Sequence, residues 1–153
     1  MRKTAPIALI AGILLGLTNL ARAQTVVTLQ VTFHTTSDDK DGDTQVRDRV
    51  VSNGADAATL FCCSAGKHSA DHWDNDSQNT RTMNMVQPLT KAQLQSAKFV
   101  AGSTANGNDK WVFVPTLTAT YSDGTTQQWT FPETVLDSND SHLVEGTYAI
   151  PPS

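Results

Sequence analysis

The segment WVFVPTLTATYSDGTTQQWTF, residues 111–131, carries the strongest indication of secondary structure in this chain. Its two arms are rich in Val, Thr and aromatic residues, which are enriched in β-strands. Residues 122–125 between the arms read Ser-Asp-Gly-Thr, and an Asp-Gly pair flanked by strand-forming arms predicts a β-hairpin. Pro115 interrupts the first arm and has no backbone N–H, so we expect a bulge or an edge position there.

Strand-like patterns continue on both sides of this hairpin. Val27, Leu29, Val31 and Phe33 alternate with polar residues, which predicts a strand with one buried face. Further short β-prone runs are separated by polar turns, and only residues 89–97 suggest a helix, with Thr90 as its cap. We therefore predict an all-β chain, an antiparallel β-sandwich with at most one short helix. The large core side chains are expected to be Phe99, Trp111, Phe113, Tyr121, Trp129 and Phe131.

Residues 1–23 have the pattern of a secretory signal peptide. Arg2 and Lys3 precede an apolar run at 7–17, and Ala21-Arg22-Ala23 supplies the small residues that a signal peptidase accepts. The run is shorter than the roughly 20 residues that span a bilayer, so no transmembrane segment is expected. We predict a secreted or periplasmic protein with a single domain at 24–153.

Removal of the leader makes the chain more acidic. Three of the 11 basic residues lie in the leader and none of the 15 acidic ones does, so 8 basic residues face 15 acidic ones, a net charge of −7. Nucleic-acid binding requires a basic surface, so no nucleic-acid partner is expected.

The two cysteines, Cys62 and Cys63, are adjacent. Successive side chains of a strand point to opposite faces, so a bridge between them would require a strained turn. We expect one buried thiol and one partly exposed thiol. A redox role is not expected, because the Cys-x-x-Cys spacing is absent.

Acidic residues concentrate in the loops. Asp39, Asp41 and Asp43 alternate around Gly42, and their carboxylates could surround a Ca²⁺ ion, which takes six to eight oxygen ligands. The segment is not an EF-hand, because Thr44 stands where that loop needs glycine. In a sandwich, Asp74 and Asp109 from other loops could complete the site. The alternative is that these acids are solvated turn residues.

A second polar loop, residues 66–79, contains His68, Asp71, His72 and Trp73. Two histidines four residues apart could bind a transition metal together with Asp71 and Asp74 of the same loop. Trp73 is either a core anchor or an exposed recognition group, and we consider it a candidate ligand-binding residue.

In their order along the chain, these features resemble a PLAT/LH2 domain, the lipoxygenase-homology sandwich, which is similar in architecture to C2 domains. The matching segments are VTFHTTSDDKDGDTQVRDRVV (31–51), AKFVAG (97–102) and NGNDKWVFVPTLTATYSDGTTQQWTFP (106–132). The resemblance implies a non-catalytic module that binds lipid surfaces or protein partners, often with Ca²⁺ in its loops. It assigns cation binding to Asp39, Asp41 and Asp43, with Asp74 or Asp109 as additional ligands.

Two other classes of function remain open from the sequence. A carbohydrate-binding sandwich would use Trp73, or another exposed aromatic residue, as a platform for sugar stacking. A small metal-dependent hydrolase would be built around His68, Asp71 and His72. No Gly-x-Ser-x-Gly nucleophile motif is present, so the sequence provides no clear catalytic group.

Overall fold

A computed structural model describes residues 23–63, 72–105, 107–139 and 142–152. The signal peptide predicted at 1–23 therefore lies, except for Ala23, outside the described residues, and so do His68 and Asp71. Within the described residues, no helix is of a length and apolarity that would let it cross a membrane.

Ten strands and one short helix make up the described chain, and the prediction of an all-β antiparallel sandwich is confirmed. The elements are β1 (Val26–Asp38), β2 (Gln45–Ser52), β3 (Ala55–Cys62), β4 (Gln78–Thr82), β5 (Asn84–Met85), α1 (Lys91–Leu94), β6 (Lys98–Thr104), β7 (Asn108–Tyr121), β8 (Thr126–Thr130), β9 (Thr134–Asn139) and β10 (Val144–Ala149).

The strands form two antiparallel sheets. Sheet I has the order β4-β1-β7, with β8 and β9 sharing the far edge of β7. Sheet II has the order β10-β6-β2-β3-β5. All six aromatic side chains predicted to be core are buried, at 6 % exposure or less. One apolar cluster contains residues of both sheets, which fixes the two sheets against each other.

The β-hairpin predicted at residues 111–131 is present. β7 and β8 pair from Thr116↔Thr130 to Thr120↔Thr126, and Gly124 occupies the turn with φ +82°. The helix is shorter than predicted, but Thr90 caps it through a capping box with Gln93.

Two local predictions are wrong. Val27 is 54 % exposed, because a shift of register between Val26 and Thr28 turns it away from the buried face that holds Leu29. Pro115 lies in the central strand of sheet I, with no register shift where it pairs with Phe33. On the side of β7 away from β1, Pro115 lies between the residues that pair with β8 and those that pair with β9. No ladder hydrogen bond on that side therefore requires the N–H that proline lacks.

Candidate metal site

The loop between β1 and β2 is anchored by a buried lysine. Lys40 is fully buried, and its Nζ donates hydrogen bonds to the carbonyl oxygens of Asp41 (2.8 Å) and Thr44 (2.9 Å). The same ammonium group lies 5.0 Å from the centre of the Trp73 ring. A cation over an aromatic face is stabilised by the ring quadrupole, so the loop is built around this inward-pointing side chain.

Lys40 and Trp73 also pair through their backbones. The Lys40 N–H donates to the Trp73 carbonyl (3.2 Å) and the Trp73 N–H to the Lys40 carbonyl (3.0 Å), as an isolated antiparallel bridge. Both side chains point into the core, so the residues on either side of each must point outwards. In an antiparallel register, this pairing sets residue 41 opposite residue 72 and residue 39 opposite residue 74.

The outward side chains form what we term the His72 cluster: Asp39, Asp41, His72 and Asp74. Nε2 of His72 lies 3.1 Å from Oδ2 of Asp39 and 3.1 Å from Oδ1 of Asp74. Ligand atoms of Asp39, Asp41 and His72 all lie within 4.8 Å of one another. Among the described residues, this is the one group of three potential metal ligands at such spacing.

The cluster contains some of the predicted cation ligands and not others. Asp39 and Asp41 are in it together with His72 as the three closely spaced ligands, and Asp74 is its fourth member, which contacts His72 with a side chain that is 85 % exposed. Asp43 is outside, because a turn closed by the hydrogen bond from the Thr44 N–H to the Asp41 carbonyl leads the chain away.

Asp109 is not one of the grouped potential metal ligands, and its carboxylate makes hydrogen bonds to the acidic loop instead. Its carboxylate accepts a hydrogen bond from the Thr44 hydroxyl and one from the Asp41 N–H (3.4 Å). Burial raises the pKa of Asp109, and the hydrogen bond from Thr44 opposes this increase. Asp109 therefore connects β7 to the acidic loop and positions Asp41.

Trp73 is not an exposed recognition group. Its side chain is 1 % exposed and packs against Phe33 and Trp111, each with ring centroids 5.3 Å away. Of the two alternatives for Trp73, the structure therefore supports the core anchor, since the ring is covered by the core. Its contribution to the site is indirect, because it fixes the direction of His72 and Asp74.

Sequence reasoning placed His72 and the two aspartates in different hypotheses, and it missed Lys40. The signal was present as two short alternations, Asp-Lys-Asp at 39–41 and His-Trp-Asp at 72–74, each with a large central residue. Comparison with protein-family models, with curated proteins and with solved structures finds no match to this chain.

Proposed function

We propose that this domain is a non-catalytic binding module that holds a divalent cation at the His72 cluster and engages a lipid surface or a protein partner through it. The observation that supports this most directly is the convergence of an imidazole and two carboxylates within 4.8 Å. Divalent cations are bound by such donor sets, and the positive charge would offset the acidic loop.

The exposure of the cluster suits a binding role. The side chains of Asp39 and His72 are 42 % and 36 % exposed. A cation held between them would keep coordination positions open to solvent. A phosphate or carboxylate oxygen of a partner could occupy those positions, which is how a bound cation bridges an acidic protein surface to an anionic group.

The donor set favours Zn²⁺ over the Ca²⁺ predicted from the sequence. Calcium takes oxygen ligands, whereas imidazole nitrogen is a preferred ligand of zinc and related metals. Tetrahedral zinc with bonds of 2.0–2.1 Å separates its ligands by about 3.4 Å. The 3.1 Å between His72 Nε2 and Asp39 Oδ2 is close to that separation. Calcium is the second cation to test.

The experiment is calorimetric titration of the metal-stripped protein with Zn²⁺ and then, on fresh protein, with Ca²⁺. We expect saturable binding of one zinc ion per chain and weaker binding of calcium. Asp43→Asn is the matched control, because Asp43 lies in the same loop but outside the cluster, and it should bind zinc as the wild type does. Absence of saturable heat with both cations would reject the proposal.

A glycan-binding function keeps one observation in its favour. Phe61 is 62 % exposed and the Arg47 guanidinium lies 4.8 Å from its ring centre, beside a shallow groove of about 430 Å³ on the outer face of sheet II. An exposed aromatic ring is a platform for sugar stacking. Glycan-array binding that is lost in Phe61→Ala would favour this second function, and binding unchanged in that variant would exclude this surface.

The resemblance to PLAT/LH2 domains and the secreted location stay proposals. The two antiparallel sheets support the resemblance at the level of a β-sandwich. Export would be tested by fractionating cells that express the full chain and sequencing the N-terminus of the protein outside the cytoplasm. A mature N-terminus at Gln24 is the expected result, and a chain retained in the cytoplasm with Met1 intact would contradict it.

A further inference from the structure

The end of β3 brings two adjacent thiols together in an unusual way. Cys62 is the last residue of β3 and pairs with Val46 of β2. In a continued strand, Cys63 would point to the opposite face of the sheet. Instead Cys63 has φ +68°, a left-handed conformation that L-residues other than Asn and Asp seldom adopt. This backbone turn places both sulfur atoms on the same side.

The two sulfur atoms are closer than a relaxed non-bonded contact. Both residues are present as thiols, and their Sγ atoms are 2.7 Å apart. Non-bonded carbon atoms, which are smaller than sulfur, settle at about 3.5–4.0 Å. A disulfide bond measures about 2.05 Å. The strained turn that a bridge between neighbouring residues needs is therefore already in the backbone at Cys63.

The surroundings of the pair disfavour thiolate charge. Cys63 is 9 % exposed and Cys62 is half-buried. The contact with Cys63 and burial raise the pKa of the Cys62 thiol. Asp48, which interacts electrostatically with both thiols, is 2 % exposed, and its Oδ2 atom has no hydrogen-bond partner within the described residues. An uncharged disulfide carries no ionisable proton beside this buried carboxyl group, whereas the dithiol does.

We propose that Cys62 and Cys63 form a reversible disulfide between adjacent residues, a redox modification site at the end of β3. The oxidant is a small-molecule or protein disulfide, R–S–S–R. Cys62, the more accessible thiol, loses its proton and attacks one sulfur of R–S–S–R, which gives a mixed disulfide and releases R–S⁻. Cys63 then loses its proton and attacks the Cys62 sulfur, which releases the second R–S⁻.

Bonds, electrons and protons balance in this exchange. The S–S bond of R–S–S–R breaks and one S–S bond forms between Cys62 and Cys63. The two electrons lost by the cysteines reduce R–S–S–R to two R–SH, which take up the two protons that the cysteines release. A dithiol reductant reverses the exchange.

The test is alkylation of the purified protein after incubation with oxidised glutathione and removal of the excess, read by intact mass. We expect a monomer whose mass is lower by two hydrogen atoms, which takes no label until dithiothreitol is added and two labels afterwards. The variants Cys62→Ser and Cys63→Ser are the controls. Cys63→Ser retains the accessible Cys62 and should form a glutathione adduct in place of the internal bond, whereas Cys62→Ser retains the buried Cys63 and should lose the internal bond without forming a comparable adduct.

Three results would overturn the proposal. The wild type could take two labels without reduction, it could carry two glutathione adducts, or it could form dimers that dithiothreitol separates. Each of these would mean that the two sulfur atoms do not bond to each other. If the serine variants do not accumulate, Cys63→Gly replaces them as the control. Glycine is the residue best suited to φ +68°, so this variant is expected to fold while it lacks one of the two thiols.

Discussion

Nε2 of His72 lies 3.1 Å from Oδ2 of Asp39, although 33 positions separate the two residues in the sequence. The backbone pairing of Lys40 with Trp73 produces this contact. The two paired side chains are directed into the core, and their polar neighbours are consequently directed to the surface on the same side. The candidate metal site thus depends on a buried, non-ligating pair as much as on its ligands.

His72→Ala is expected to abolish the stabilisation of the protein by zinc. A cation that binds only the folded state at a hundred times its Kd stabilises by about 2.7 kcal/mol. For a domain of this size, that corresponds to a rise in Tm of roughly 10 °C. Thermal melts with and without zinc measure the difference. Asp43→Asn should retain the full rise, and an equal rise in His72→Ala would place the metal elsewhere.

Lys40→Met is expected to lower the free energy of unfolding by about 2–3 kcal/mol, because two carbonyl groups lose a charged hydrogen-bond donor. Those carbonyls belong to Asp41 and Thr44, so cation binding should weaken as well. Urea denaturation measures the loss. Lys110→Met is the matched control, since Lys110 is 52 % exposed and makes a surface ion pair with Asp38, and it should change stability by about 0.5 kcal/mol or less. Equal losses in the two variants would contradict the anchoring role of Lys40.

Trp73→Ala should cost about 3–5 kcal/mol, as expected for a large aromatic side chain in a packed core. Trp73→Phe should cost less, because it keeps a ring against Phe33 and removes an indole N–H that has no partner within the described residues. Chemical denaturation ranks the two variants. Phe61→Ala, at an exposed position, is the control with a small effect. A loss of less than about 1 kcal/mol in Trp73→Ala would contradict the burial of this ring.

Asp48→Asn should become more stable relative to the wild type as the pH rises. Burial raises the folded-state pKa of Asp48 well above its ordinary value of 3.8, the hydrogen bond from the Gly102 N–H opposes this increase, and the electrostatic interaction with Cys63 adds to it. Above pH 3.8 the unfolded wild type gives up this proton more readily than the folded protein does, so the wild type loses stability until the pH passes the folded-state pKa.

The asparagine variant has no such proton and can still accept the hydrogen bond from Gly102. Unfolding curves of both proteins between pH 3 and pH 8 give the difference in stability, in which other titrating groups such as Asp109 cancel. The difference should increase with pH in favour of the variant. A constant difference, or one that shrinks with rising pH, would show that Asp48 is ionised in the folded protein.

Local sequence determined much of the fold. The Asp-Gly turn and the alternation from Leu29 to Phe33 are short-range features, and both give the structure that they predict. Strand β9 is not apparent from local sequence, because Thr134–Asn139 has little apolar character and is held by pairing with β7. The position of Pro115 in a central strand also cannot be predicted from local sequence. It depends on which residues of β7 pair with β8 and which pair with β9.

The candidate site was predictable only in part. Carboxylates at Asp39 and Asp41 follow from spacing within one loop, but their meeting with His72 depends on a long-range backbone bridge. The same spacing also suggests Asp43 as a ligand, but Asp43 lies outside the cluster because the chain turns between Asp41 and Thr44. Trp73 could be either core or surface from the sequence, and packing against two other aromatic rings decided its place.

We propose that His72, Asp39 and Asp41 together hold the cation. X-ray absorption at the zinc edge, on protein loaded with one zinc ion per chain, identifies the ligand atoms directly. We predict nitrogen and oxygen ligands at about 2.0–2.2 Å, with the outer-shell scattering of one imidazole that disappears in His72→Ala. Sulfur ligands at about 2.3 Å would instead place the metal on the Cys62 and Cys63 pair and contradict its assignment to His72.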